Sequence, residues 1–250
     1  NAGDSALYYV TAHEEAHMWL PMIIGVDEKR RGWMDEGSTS FHENQSAKEF
    51  FPGRDFDEGD RRSYIAAARR GTEGEMMRWT DFHYQGASGV ASYSKPATTL
   101  VALRRYLGDE RFLKGWRTYL RNWAFKHPRP WDFFNTMETV SGEDLDWFWH
   151  SWYYETWTLD QGVEGVEDVQ GGGARITIAD HGYIPMPAYV TVTYADGTVE
   201  EREVSVEHWL TGQTRAALTV TSNQPVVKVA IDAAGTLPDV DRDNNVWERE

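Results

Sequence analysis

The sequence contains no cysteine, which excludes disulfides, thiolate metal ligands and thiol catalysis and leaves packing to hold the fold. Long apolar runs are missing too. None approaches the eighteen residues that a membrane-spanning helix needs, so no segment is expected to cross a bilayer. The first residues lack the basic and apolar regions of a signal peptide, which leaves open a leader removed earlier. Basic residues are scarce relative to acidic ones, 25 Lys and Arg against 40 Asp and Glu, for a formal charge of −15. A surface of that sign repels phosphate backbones and anionic lipid. Neither nucleic acid nor an anionic membrane is therefore expected as a partner, and basic or neutral substrates are mildly favoured. An acidic, cysteine-free chain with 12 tryptophans fits an exported bacterial protein, periplasmic or extracellular, slightly better than a cytoplasmic one. Its 250 residues suffice for one large or two modest domains with a real core.

What is present is a histidine pair with a carboxylate at a telling distance. His13-Glu14-Glu15-Ala16-His17 is followed, after eighteen residues, by Glu36 within Trp33-Met34-Asp35-Glu36-Gly37. Histidines four apart on a helix lie about 40° apart in azimuth, so both can face one ion with a carboxylate beside them. A third ligand from a second helix leaves one tetrahedral position for water, the mark of a catalytic rather than a structural zinc. Five letters arise easily by chance; a glutamate at this spacing in a Trp-x-x-Glu-Gly setting makes coincidence a poor account.

The pattern resembles the gluzincin zinc metallopeptidases, and among them the M1 aminopeptidase family, aminopeptidase N-like, whose signature is HExxH, eighteen residues, then Glu. Ser92-Tyr93-Ser94-Lys95-Pro96-Ala97 before Thr98-Thr99-Leu100-Val101-Ala102-Leu103 is similar to the family's tyrosine segment, and the likeness runs to about residue 160. The resemblance implies one Zn2+ per chain held by His13, His17 and Glu36, with Glu14 moving protons and Tyr93 steadying an oxyanion. It also implies a peptide or protein substrate. Two positions depart from the family: Pro96 stands where glycine is usual, and Glu15 where an apolar residue is usual, which suggests a less buried face of the zinc helix or a basic side chain opposite. The Gly-x-Met-Glu-Asn segment with which the family recognises a free α-amine has no counterpart here. The expectation is therefore the C-terminal part of a catalytic domain with its following β-domain, partnered by an N-terminal region of the same polypeptide, or else a minimal gluzincin of broad, endopeptidase-like specificity. A catalytically silent zinc-binding domain and a non-peptidase hydrolase with the same site stay open as alternatives.

The fold class expected is α+β, a mostly helical thermolysin-like half-domain over 1–160, a small β-sandwich over 161–240 packed on it, and a tail over 241–250. Asp4 or Ser5 can cap a first helix that carries the HEEAH box and ends at Pro21, and a second helix from about Met34 presents Glu36 in its first turn. Further helices are expected over 60–71, 95–107, 109–125, 130–140 and 142–155, with an irregular stretch over 72–92. The triple glycine 171–173 opens a region of strand alternation, over 174–178, 188–194, 198–206, 216–221 and 226–231, with Asp196-Gly197 as a hairpin turn.

Several groups invite a functional reading that spacing does not support. The aromatic series from Trp116 to Trp157 has the helical spacing of core packing rather than a carbohydrate platform. His42, His83, His127, His150, His181 and His208 lack ligand spacing and read as surface or capping groups. Arg61, Arg62, Arg69 and Arg70 read as a solvated helix face. The acidic positions 55, 57, 58 and 60 lack the spacing of a calcium loop. Asp35 is a candidate to hold a ligand imidazole's second nitrogen.

Overall fold

Helix α1, Ala2–Ala16, carries the first half of the histidine box, and the proline at 21 decides how it ends. The computed structural model describes residues 2–84 and 86–250, with side chains from Ser5 onward. Of the two expected caps, the Asp4 side chain lies outside the described residues, and Ser5 sits inside α1 rather than at its start. Beyond Ala16 the chain continues as one wide turn, Met18–Ile23, broken at Leu20 (φ −129°, ψ 108°), the residue before Pro21. Clash with the proline ring drives the preceding residue out of helical conformation, and proline has no N–H with which to continue the ladder.

A wide turn over Trp33–Gly37 leads directly into α2, Ser38–Phe50, so Glu36 enters at the head of the second helix as expected. Helices α1 and α2 pack through aromatic contacts and hydrogen bonds. Tyr8 stacks on Phe50 at 4.7 Å, and the Tyr9 hydroxyl donates to Asn44 Oδ1 at 3.2 Å. Helix α3, Glu58–Ala68, is the one expected over 60–71, and it ends before Arg69 and Arg70. Its acidic neighbours are paired rather than free: Asp55 accepts from Arg61 at 2.7 Å, Asp57 pairs with Lys48, and Asp60 accepts from Asn44 at 2.8 Å. The stretch expected to be irregular carries helical turns at Thr80–Phe82, Ala87–Gly89 and Val90–Ser94, the last running straight into α4, Lys95–Leu107.

Helices α5 (Asp109–Trp123), α6 (Pro130–Ser141) and α7 (Asp146–Trp149, continued as a wide turn to Tyr154) complete the helical unit. Trp33, Phe133, Phe134, Trp149, Trp152 and Tyr153 are buried, with Phe134 stacked on Trp149 at 4.4 Å and Trp33 edge-on to Tyr153 at 4.7 Å. The aromatic series is therefore mostly core, except that Phe125, Trp131 and Tyr154 are exposed. His42 corrects the reading of a surface group. It is half-buried, its Nε2 accepts from Trp116 Nε1–H at 3.1 Å, and desolvation pushes its pKa down to about 4, so it is a neutral group packed on the aromatic core.

Beneath the turn that carries Tyr93 lies a fully buried ion pair. Lys95 Nζ donates to Glu73 Oε1 at 3.1 Å and to the Glu155 carbonyl at 2.8 Å. Burial lowers the lysine pKa and raises that of the glutamate, so each charge depends on the other.

The chain divides after Thr156 into a second compact unit. There β1 (Gln161–Asp168), β2 (Ala174–Asp180) and β5 (Arg215–Val220) form an antiparallel sheet in the order β1-β2-β5. A second sheet has the order β4-β3-β6-β7, with β3 Ala188–Tyr194, β4 Val199–Val204, β6 Val226–Ile231 and β7 Val246–Glu248. Alternate residues of both sheets, among them Ile176, Ile178, Val190, Val192, Val220 and Val229, share one apolar core, which makes a β-sandwich and gives the whole chain an α+β fold. The Asp196-Gly197 turn joins β3 to β4, with Gly197 at φ +85° and Thr198 N–H donating to Asp196 Oδ1. Two strands escaped the pattern. β1 is one, and β7 is the other: residues 246–248, expected within a tail, pair with β6 as an edge strand. β4 stops at Val204, two residues before the expected strand end at 206, and a short helix α8, Val206–Leu210, follows it.

Removing one partner of the buried pair leaves the other uncompensated. Lys95→Met is expected to cost about 3–5 kcal/mol by urea unfolding, and Lys95→Met combined with Glu73→Leu to recover most of that loss.

Candidate metal centre

Glu36 Oε2 lies 3.2 Å from both His13 Nε2 and His17 Nε2, so the three residues singled out by spacing meet at a point. The two imidazoles stand edge to face, 4.8 Å between centroids. Among the described residues only one other group of three acidic or histidine side chains comes as close, Glu138, Asp144 and Asp146, where Glu138 already accepts from Leu145 N–H and Trp149 Nε1–H.

The outward nitrogens fix the tautomers. His13 Nδ1 is 2.6 Å from Glu43 Oε2, and His17 Nδ1 is 2.8 Å from the Leu20 carbonyl and 3.0 Å from Asp35 Oδ1. Glu43 and the Leu20 carbonyl accept, so each Nδ1 carries a proton, and in the neutral imidazole that a metal requires each Nε2 turns a lone pair inward, toward a carboxylate oxygen. Three electron-rich atoms facing one another repel unless a cation lies between them. Ligands about 2.0–2.1 Å from a tetrahedral zinc stand ~3.3–3.4 Å apart, close to the spacing between Glu36 and each histidine. The donor set fits zinc.

Local sequence explains each arrangement. The break at Leu20-Pro21 frees the Leu20 carbonyl from a helical ladder and turns it onto His17. Glu43 stands seven residues after Glu36, two turns along α2 on the same face, a signal the sequence held and spacing analysis passed over. Asp35, the candidate second-nitrogen partner, is where that reading put it. Thr39 adds a hydroxyl 3.3 Å from His17 Nδ1. Gly37 lets the Tyr93 segment close in: a Cβ there would stand 2.3 Å from Pro96 Cγ and 3.0 Å from the Ser92 carbonyl.

Tyr93 is partly exposed, its ring lying parallel to the His13 imidazole at 6.0 Å, and its phenol donates to the Glu36 carboxylate. Burial, and then that bond to Glu36, raise the phenol well above its usual range, so it keeps its proton at any physiological pH. Burial opposes the charge of Glu36 itself. The hydrogen bonds from His13 and Tyr93 and the nearby His17 outweigh it and hold that carboxyl below its ordinary range. Glu14 is exposed, and its charge reaches the Tyr93 phenol. Glu15, the departure on the other face of α1, is exposed and lines an apolar groove with Arg117 and Arg121.

A family model described as the Peptidase family M1 domain matches residues 3–152. Aminopeptidase M1-C of Oryza sativa subsp. japonica is 28% identical over 157 residues, covering 60% of this chain and 17% of its own length. Glutamyl aminopeptidase of Rattus norvegicus is 27% identical over 168 residues, covering 61% of this chain and 16% of its own length. The chain thus spans about a sixth of the length of these curated relatives. The crystal structure of Legionella pneumophila aminopeptidase A in complex with aspartic acid matches with a TM-score of 0.66 at 16% identity, over 92% of this chain and 26% of that one, a likeness of fold. No helix among the described residues is long and apolar enough to cross a membrane.

Left to protons alone, His13 is pushed up to about 10 by its hydrogen bonds to Glu36 and then Glu43. Zinc must displace that proton, so apparent zinc affinity should climb as pH rises through neutrality and level off near pH 10, by competition with a chromogenic chelator. In the same assay His13→Ala and His17→Ala should lose stoichiometric zinc, whereas Glu43→Gln should weaken it about 10- to 100-fold.

Proposed function

The chain belongs to peptidase family M1, and we propose that its site hydrolyses peptide bonds with zinc held by His13, His17 and Glu36. The observation that carries this reading is the meeting of two imidazole Nε2 atoms on one carboxylate oxygen, with a protonated phenol and an exposed carboxylate alongside. When bound, zinc supplies Lewis acidity and draws the pKa of water from about 15.7 toward ~7.

The chain's own groups would do the rest. Glu14, the residue next to His13 on α1, takes the proton of the attacking water and later delivers it to the leaving amine. Tyr93 keeps its proton and so can only donate; its hydroxyl, already aimed at the Glu36 side of the centre, turns to the oxygen that gains charge as the carbonyl is attacked. Glu43 and the Leu20 carbonyl move no proton. They hold the two imidazoles in the tautomer and orientation that keep Nε2 inward.

Removing one donor from an oxyanion site costs on the order of 10²–10³ in rate. Tyr93→Phe is expected to lose that much kcat on a chromogenic aminoacyl anilide with zinc content unchanged, and Glu14→Gln to be at least as impaired with zinc retained. A zinc-loaded, folded protein that cleaves no peptide or anilide would overturn the hydrolytic reading in favour of a zinc-containing binding domain.

A further inference from the structure

Helix α2 packs on α1 through Phe50 against Tyr8, and on α5 through Phe41 against Phe112 and His42 against Trp116. Between α1 and α5 it forms the floor of a groove of about 910 Å³ that is open to solvent. Both walls are helical stripes. Tyr8, Ala12 and Glu15 recur along α1 at steps of four and three, and Arg117, Leu120, Arg121 and Ala124 keep the same spacing along α5 and just past its end. That is the face one helix offers another. From Tyr8 to Ala16 the α1 wall runs about 12 Å, and a helix is ~10–12 Å across, so three helices surround a position that a fourth would fill.

A small ligand in a pocket has about 70–90% of its surface buried. This groove offers no such enclosure: Met18, Trp19 and Phe125 in its lining are 63%, 55% and 86% exposed. A helix laid along the stripes would cover them. Phe125 also carries backbone strain, since its φ of +61° is a left-handed conformation that a residue with a Cβ adopts only at a cost. Two bonds hold it there, Phe125 N–H to the Ile23 carbonyl at 2.7 Å and Gly25 N–H to the Lys126 carbonyl at 2.9 Å. Packing within the chain recovers nothing for the bare ring, whereas a partner that buries it would. Charge selects among partners. Arg117 and Arg121, one turn apart on the α5 wall, and Glu15 on the α1 wall make no hydrogen bond or ion pair among the described residues. On a chain of formal charge −15 the free charges of this groove are thus two positive against one negative, which favours an acidic flank on the helix that docks. A second copy of the chain, acidic as a whole, is disfavoured by repulsion.

We propose that the groove between α1 and α5 is a docking site for an amphipathic helix of a partner protein, seated with its apolar stripe inward and its acidic residues against Arg117 and Arg121. Docking of this kind needs neither zinc nor hydrolysis.

The probes are two fluorescein-labelled, hydrocarbon-stapled peptides of about four helical turns, each with a stripe of leucines, flanked in one by glutamates and in the other by lysines. Fluorescence anisotropy against the full chain at low salt should show the glutamate-flanked helix binding about tenfold tighter, with the preference shrinking as salt is raised. Arg117→Glu combined with Arg121→Glu should reverse the preference, a gain for the lysine-flanked helix that a damaged structure would not produce. Phe125→Gly should weaken both helices while leaving the Tm unchanged or higher, because glycine takes a positive φ without strain. Equal binding of the two helices, binding of neither, or a preference untouched by the arginine reversal would overturn the docking site. A concentration-dependent dimer in light scattering that the reversal dissolves would make the face an interface between copies and overturn the partner helix.

Discussion

A carboxylate oxygen held 3.2 Å from the Nε2 atoms of two imidazoles is the constraint to which the helical unit conforms. Without a metal a proton on His13 can hold the cluster together, as its raised pKa records, but the backbone must first bring the three side chains within reach. Two of the three side chains are four residues apart, His13 in α1 and His17 one residue past its end, where the backbone N–H of His17 still bonds the His13 carbonyl. The third comes from the head of α2, and bringing it in requires the tight approach in which Gly37 has no Cβ for Pro96 to meet. The family-atypical proline at 96 is thereby explained as a packing partner: its ring lies where a Cβ on residue 37 would be.

The segment that delivers Tyr93 is anchored by charge in a dry place rather than by apolar packing alone. Two residues after the tyrosine, Lys95 reaches down to Glu73 and the Glu155 carbonyl, tying the start of α4 to a loop and to the end of α7. A buried pair of this kind is weak evidence for stability, because desolvation offsets most of its attraction. Its value is geometric: neither partner can be satisfied elsewhere in the core, so the turn bearing the phenol has one position.

The centre was legible because its chemistry needs fixed residue types at helical spacing, and periodicity found α4, α5 and α6 because each buries an apolar stripe, such as Phe112, Trp116 and Tyr119 in α5. What escaped did so for local reasons. In β1 the apolar residues Val163 and Val166 are three apart, which is not strand spacing; a register shift between Val163 and Gly165 inserts one residue and returns both valines to the core side. β7 is three residues long, too short for alternation to declare itself, and it exists because β6 leaves an edge to be paired. His42 was misread since a lone histidine on a helix face carries no sign of the indole waiting for it 74 residues on. Glu43 was missed although it lies two turns from Glu36 on the same face, because the search stopped at the ion's direct ligands.

The outlying carboxylates also settle a conflict in the electrostatics of the centre. Every negative oxygen placed directly on a zinc ion tightens its hold and blunts its acidity, so a hydrolytic site profits from few anionic ligands. The arrangement here puts one carboxylate, Glu36, against the imidazole Nε2 atoms, and sets Glu43 and Asp35 behind His13 and His17, where their charge acts through a ring. Burial, followed by the repulsion of Glu36, pushes Asp35 up to about 7, so its full charge is favoured only when positive charge is near. The imidazoles are thus made more basic and held in place without a second anion at the centre itself, which reconciles firm retention of a dication with its use as an acid.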